Sequence, residues 1–313
     1  NERSFAYYNT DQNKSDIPAG TYQILIGASS KDIRLRQSIT VQSDALLPDQ
    51  REILHEYFDQ LPENKGLFQK SGLPITQEQK VLEIGSGCGP ITGVLARKAK
   101  SVTCIDLSKM RSTINAYRNR ECDNVKIMVG NFQDVESSLT EKYDYLTLIG
   151  VFEYSQGYIG TAQPYVEMLR RIARHLAPGG RIVIAIENRL GLKYWAGCTE
   201  DHVGKYFEGL ENYPDTRSVR TFSRKELSDI IDQAGEFKTT FYYPYPDYKF
   251  PMTIYSDKRL PKKGELRDNF CNFDRNRIQL FNEGKVYDSL TDAGLFQEFS
   301  NSFLVIVERK ENK

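Results

Sequence analysis

The stretch VLEIGSGCGPITG, Val81 to Gly93, runs from four residues suited to a buried strand into glycines at alternate positions and then into helix-forming sequence. At the tip of a strand, glycine lets the backbone approach a ligand where any Cβ would collide. In a sheet whose strands alternate with helices, that place is the crevice outside the carboxyl ends of the strands. A nucleotide-type cofactor is expected there. The nicotinamide fingerprint G-x-G-x-x-G needs a third glycine where Pro90 stands, which counts against NAD.

Working outward, the same rhythm repeats. KVLEI precedes ITGVLARKA, VTCID precedes SKMRSTINAYRN, VKIMV precedes a short acidic segment, YDYLTLI precedes PYVEMLRRIARHLA, and RIVIAIE is followed much later by RKELSDIIDQAG. Strands alternating with helices predict an α/β fold with a parallel sheet covered on both faces. Val166, Leu169, Ile172, Ala173 and Leu176 form one apolar stripe, and Pro178-Gly179-Gly180 is expected to end that helix. Before residue 43 the character differs. TYQILIG (21–27) and DIRLRQSITV (32–41) read as a β-hairpin.

Composition narrows the function. The 313 residues are 39% hydrophobic, enough to bury a full core. Forty-two basic and forty-two acidic residues leave no net field to attract nucleic acid or an anionic membrane. The five cysteines, Cys88, Cys104, Cys122, Cys198 and Cys271, are scattered and never form C-x-x-C, which argues against a disulfide framework and a zinc site and fits a reducing cytoplasm. No apolar run approaches the roughly 20 residues of a membrane span, and no signal-peptide pattern opens the chain.

Glu83-Ile84-Gly85-Ser86-Gly87-Cys88-Gly89 fits E-x-G-x-G-x-G at every fixed position, and so resembles the first motif of the class I S-adenosylmethionine-dependent methyltransferases. The resemblance extends over residues 48–313. It implies a Rossmann-like seven-stranded sheet with the last strand antiparallel, and S-adenosylmethionine held by Glu83, Gly85, Ser86, Gly87 and Gly89. Asp106 ends the second strand 21 residues after Gly85, where a carboxylate accepts from both hydroxyls of a ribose or caps the following helix. In the family this position binds the ribose, and Leu107 would lie against the adenine. VGNFQD (129–134) falls where the family reads adenine, with Asn131 replacing the usual Asp and Phe132 closing over the base. LIGVFEYS (148–155) resembles the fourth-strand segment, with Gly150 against the methionine moiety and Glu153-Tyr154 at the mouth.

Two insertions, 187–220 and 244–300, exceed the minimal fold and are the expected substrate-reading lid. Tyr154, Asn188, Tyr194 and Trp195 are candidate substrate contacts, although such aromatics also build the small core of a lid. Methyl transfer from a sulfonium requires no metal in principle, but an alcohol acceptor requires a base. His202, in Glu200-Asp201-His202, is the first candidate, with Glu187 and Glu153 competing. His55 and His175 read as surface or capping residues. For an already anionic phosphate acceptor, Arg189, Lys193 or Lys205 would matter instead.

AIENRLGLKYWAGCTEDH, VRTFS and YYPYPDYKFP resemble a subgroup of methyltransferases associated with bacterial surface-polysaccharide and lipopolysaccharide biosynthesis. That resemblance implies a sugar hydroxyl or sugar-linked phosphate as acceptor, with glycosyltransferases of the same pathway as partners. Residues 1–43, especially GTYQILIGASSKDIRL, resemble the last strands of the fibronectin type III-like domain of family-3 glycoside hydrolases. A methyltransferase domain over 44–313 is therefore expected after a partial fibronectin-like segment. The alternative is a non-catalytic, carbohydrate-associated protein on a vestigial cofactor fold.

Overall fold

Five strands run parallel in the sheet, and all but the edge strand are buried on both faces, as helix-covered parallel strands require. The computed structural model describes residues 7–9, 14–16, 20–29, 32–42, 75–267 and 277–310. The chain divides into two units, 1–65 and 66–313. In the first, β1 (Tyr7–Asn9) pairs antiparallel with β2 (Lys14–Asp16), and β3 (Gly20–Ser29) forms an antiparallel hairpin with β4 (Asp32–Val41) in the register Tyr22↔Ile39. The expected boundary after residue 43, His55 and Cys271 lie outside the described residues.

In the second unit, β5 (Lys80–Ile84), β6 (Ser101–Asp106), β7 (Val125–Val129), β8 (Tyr143–Ile149) and β9 (Leu176–Glu187) are parallel, and β10 (Phe237–Tyr245), β11 (Thr253–Ser256) and β12 (Ser302–Arg309) complete the sheet. The order is β11-β10-β12-β9-β8-β5-β6-β7, with β12 antiparallel to both β9 and β10. The expected α/β architecture with an inserted antiparallel strand is present, and β11, inside the second insertion, makes an eighth strand.

Alternation along the strands sends Leu82, Leu146, Leu148, Ile182, Ile184, Val305 and Val307 to one face, and Val81, Val102, Tyr145, Val183, Ala185, Leu304 and Ile306 to the other. The first face receives Val166, Leu169 and Ile172 of the helix Pro164–Ala173 and Leu227 and Ile231 of the helix Arg224–Ala234. Each such side chain contributes about 1.5–3 kcal/mol. Leu95 and Ala96 of the helix Thr92–Lys98 cover the second face.

One expected boundary is corrected. Pro178-Gly179-Gly180 lies within β9, and the helix already ends at Ala173. Gly179 has φ +71°, and the register against β8 jumps from Tyr143↔Leu176 to Tyr145↔Arg181, so the turn residues form a bulge in a strand that starts early. The strand order reverses at β5, with β6 on one side and β8 on the other. Ile84, Asp106, Ile149 and Glu187 therefore end at the same edge of the sheet, where a ligand crevice is expected.

Candidate active site

The glycine loop is fastened to the next strand before any ligand is considered. Gly85 and Ser86 N–H groups both donate to Ile105 O (2.7 and 3.2 Å). Asp106 Oδ2 accepts from Gly87 N–H and its Oδ1 from Ser108 N–H, each at 2.8 Å. Ser108, not Asp106, caps the helix Lys109–Arg118. Both carboxylate oxygens retain a lone pair for a further donor.

Gly85, Gly87 and Gly89 all have positive φ, yet they differ in what surrounds them. A Cβ on Gly85 would lie 2.2 Å from Val151 Cγ2, and one on Gly89 would lie 2.2 Å from Asn115 Oδ1, whereas one on Gly87 would meet nothing within 4 Å among the described residues. Of the three, Gly87 alone faces open space among the described residues. Gly89 is required by packing, so Gly89→Ala should destabilise the fold by about 1–3 kcal/mol through overpacking and backbone strain. A lowered urea midpoint without added ligand checks this.

Ser86 Oγ is buried with no hydrogen-bond partner among the described residues. Glu83 Oε2 accepts from Thr92 Oγ1 (2.6 Å), and burial pushes the carboxyl up to about 7. Leu107 is 57% exposed, free to lie against a flat ligand. The expectation for the Phe132 ring is corrected: it is buried in the core and meets His175 edge-on. Asn131 caps the helix Phe132–Val135, accepting from Gln133 N–H and donating to Tyr158 O, because the residue before a helix uses its amide oxygen in this way.

The tips of β8 and β9 bring a second group together. Gly150, at φ +64°, turns the chain so that Glu153 follows beneath the lid, and a Cβ on Gly150 would be 3.7 Å from Glu153 Oε1 and 2.7 Å from Tyr248 Oη. Since Gly85 abuts Val151, this group adjoins the glycine loop. His202 Nε2 lies 3.3 Å from Glu153 Oε1 and 3.8 Å from Glu187 Oε2, and its Nδ1 lies 2.8 Å from Glu200 Oε1. Glu200 Oε2 accepts from the N–H groups of His202 and Val203, a turn that aims the imidazole inward. Tyr154 packs edge-on against that ring at 5.4 Å.

Electrostatics corrects the expectation that His202 is a base. Burial would lower its pKa, but hydrogen bonds to Glu153 and Glu200 and the charge of Glu187 outweigh it and push the pKa up to about 10. A histidine with a carboxylate at each nitrogen already holds its protons. Glu187 is pushed up to about 7, first by burial and then by Glu153, against the pull of Lys249 and Lys193. Glu153 Oε2 and Glu187 Oε2 are buried without a hydrogen-bond partner among the described residues.

Two of the expected substrate contacts, Asn188 and Tyr194, are used internally, while Trp195 stays 45% exposed. Asn188 is fully buried, donating to Glu298 O and Ser300 O and accepting from Leu190 N–H, so it ties the β9 tip to the chain before β12. Tyr194 is buried with its hydroxyl 2.5 Å from Asp201 Oδ2, and Trp195 rests against Phe299 and donates to Leu190 O. Tyr154 alone of the four touches the histidine cluster. The phosphate-binding candidates are engaged as well. Lys193 Nζ is buried between Asp201 (2.7 Å) and Asp247 (2.8 Å), Arg189 pairs with Glu226 (2.7 Å), and Lys205 pairs with Asp215 (3.1 Å) at the surface.

Sequence reasoning did not single out Lys249 as a site residue. Lys249 Nζ reaches Glu187 Oε1 (2.9 Å) and Asp201 Oδ1 (3.1 Å). The alternation of charge and aromatic residues in Asp247-Tyr248-Lys249, inside a long insertion, was the available signal.

Residues 48–236 match a family model described as a methyltransferase domain. An uncharacterized methyltransferase of Staphylococcus carnosus is 26% identical over 167 residues, 52% of this chain and 72% of that protein. Among solved structures, an S-adenosylmethionine-dependent methyltransferase from Clostridium acetobutylicum is similar at 13% identity and a TM-score of 0.47, over 84% of this chain and 93% of its own. One from Archaeoglobus fulgidus is similar at 13% identity and a TM-score of 0.45, over 83% and 100% respectively. Among the described residues, no helix is long and apolar enough to cross a membrane.

Proposed function

The chain belongs to the methyltransferase domain family, and we propose that, as an S-adenosylmethionine-dependent enzyme of that family, it methylates an oxygen, specifically a sugar hydroxyl of a bacterial surface glycan. The observation that carries the oxygen acceptor is the buried group of Glu153, Glu187 and His202 beside the glycine loop. The residues suit the donor. Gly87 opens on free space, Ser86 Oγ is a buried group awaiting a partner, and Asp106 stands at the tip of the neighbouring strand.

Gly85 to Gly89 would take the methionine end, Asp106 the ribose and Leu107 the adenine. When bound, the donor supplies a methyl group already activated on a sulfonium: the bond from acceptor oxygen to carbon forms as the carbon–sulfur bond breaks, and sulfur keeps the electron pair. The chain aligns the acceptor, excludes water and takes the hydroxyl proton. Glu153 Oε2, buried and unpartnered, is the assigned recipient of that proton.

A hydroxyl fits better than a phosphate, because Glu153, Glu187 and Glu200 surround His202 and Arg189 and Lys193 are committed to other carboxylates. The glycan assignment rests on resemblance, both of the lid sequences 187–220 and 242–251 and of residues 1–43 to a sugar-hydrolase accessory domain. By the same resemblance, glycosyltransferases of the pathway are its partners.

Calorimetric titration with S-adenosylhomocysteine tests the donor site. Asp106→Ala should weaken binding by about 1.5–3 kcal/mol, the loss for hydrogen bonds to a charged acceptor. Gly87→Val should lower affinity at least tenfold by filling the open space. No binding by the unaltered protein would favour the non-catalytic, carbohydrate-associated reading.

A further inference from the structure

Among the described residues, the carboxylates of Glu153, Glu187, Glu200, Asp201 and Asp247 meet the cations His202, Lys193 and Lys249. One imidazole is approached by Glu153, Glu187 and Glu200, while Lys249 serves both Glu187 and Asp201, and Lys193 is committed to Asp201 and Asp247. Tyr154 and Tyr248 bring no charge: burial, followed by the nearby carboxylates, raises both phenols.

The spacing is that of ligands around a cation. One atom each from Glu153, Glu187 and His202 lie within 4.8 Å of one another. Nε2 is 3.3 Å from Glu153 Oε1 and 3.8 Å from Glu187 Oε2, long for hydrogen bonds. Metal bonds of about 2.0–2.2 Å place neighbouring ligand atoms about 3.0–3.5 Å apart, so a small contraction around a central ion satisfies all three. Two independent features point to a ligand. Among the described residues, Glu153 Oε2 and Glu187 Oε2 have no hydrogen-bond partner, on side chains only 1% and 0% exposed. His202 also has its second nitrogen held at 2.8 Å by Glu200, the carboxylate-on-imidazole arrangement that orients histidine ligands and leaves the other nitrogen's lone pair for a metal.

We propose that Glu153, Glu187 and His202 bind a divalent first-row transition cation, with Glu200 positioning the imidazole and the open coordination positions receiving the acceptor hydroxyl. This rests on the acceptor-site reading given above and revises the expectation that no metal is involved. Two carboxylates and one imidazole suit Mn²⁺, Fe²⁺ or Zn²⁺ better than the all-oxygen cations. The ion neutralises the carboxylates, takes the place of the proton on Nε2, and makes the coordinated hydroxyl more acidic. The hydroxyl proton then passes to Glu153 Oε2 as the oxygen–carbon bond forms and the carbon–sulfur bond breaks, with the electron pair remaining on sulfur.

The test uses the full chain, freed of metal by a chelator and titrated with MnCl₂ under electron paramagnetic resonance, and with ZnCl₂ by calorimetry. One ion per chain is expected, with a pulsed-resonance coupling to an imidazole nitrogen that disappears in His202→Ala. Glu153→Gln should weaken Mn²⁺ binding at least tenfold, and Glu200→Gln should weaken it while keeping the nitrogen coupling. Circular dichroism of each variant establishes that it is folded. Absence of stoichiometric binding of either metal by the unaltered protein, or manganese bound without nitrogen coupling, would overturn the site. If S-adenosylhomocysteine still binds those same samples, the cation site fails while the methyl-donor reading stands.

Discussion

Replacing Lys193 with Met is expected to destabilise the fold by about 3–5 kcal/mol, the cost of breaking a buried ion pair from one side. Its side chain is 1% exposed and its ammonium is shared by Asp201 and Asp247, so removing the cation strands the buried Asp247 carboxylate and leaves Asp201 with Lys249 as its remaining cation. Burial alone would lower the Lys193 pKa, but these charges raise it well above the ordinary lysine value. Asp201 shows the complementary shift. Burial would raise its carboxyl, yet Lys193 and Lys249 hold it well below its ordinary 3.8. A depressed carboxyl stabilises the fold fully above its unfolded value and progressively less as pH falls toward the folded one. The gap between wild type and Lys193→Met should therefore be widest above about pH 4 and narrow on acidification. Urea denaturation at pH 7 and pH 3.5 measures both quantities. A loss under 1 kcal/mol at pH 7 would show that the aspartates find other partners. The double variant Lys193→Met/Asp247→Asn should be more stable than Lys193→Met, because the stranded charge has gone.

The second large effect is on turnover. Glu153→Gln keeps the shape and one oxygen beside His202 but removes the buried charge and the proton acceptor. A positioned acid–base group typically contributes 10²–10⁴-fold. With glycan acceptors and saturating donor, kcat should fall at least a hundredfold while S-adenosylhomocysteine affinity is kept, since Gly87 and Asp106 are untouched. His202→Ala should behave alike, because the imidazole lies between Glu153 and Glu187. A near-normal kcat in Glu153→Gln would remove Glu153 from the chemistry and leave Glu187 as the proton acceptor.

The parts of this site readable from sequence are those held by local geometry. The glycine triplet, Asp106 and Glu187 each sit at the tip of a strand whose apolar run is visible, and the parallel direction of those strands follows from the alternation of elements. His202 was identifiable as a histidine in an acidic loop, although its carboxylate neighbours on both sides, which decide its protonation, come from 49 and 2 residues away. Phe132, Asn188 and Tyr194 were misread for one reason. Residue type suggested a ligand contact, and only packing shows that each is used internally. The Lys193 pair could not be read, because Asp247 is 54 residues distant and no local pattern links them. Likewise, Gly85 and Gly89 look like Gly87 until Val151 and Asn115 are placed behind them.

The two insertions are joined at several points: Lys193 of the first to Asp247 of the second, Arg277 to Cys198 Sγ (2.7 Å), and Leu280 N–H to Ala196 O (3.0 Å), with a Cβ on Gly197 reaching to 2.2 Å from Ile278 O. For exchange of parts between enzymes, they are therefore one module encoded in two pieces. A chimera given residues 187–220 from a relative but retaining its own 244–300 would leave Asp247 facing an unmatched side chain and the backbone at 278 pressed against whatever replaces Gly197. New acceptor specificity, whether acquired by recombination or by design, would have to arrive as both segments together, with the Glu226 and Arg224 positions of the intervening helix kept matched to their partners Arg189 and Asp257.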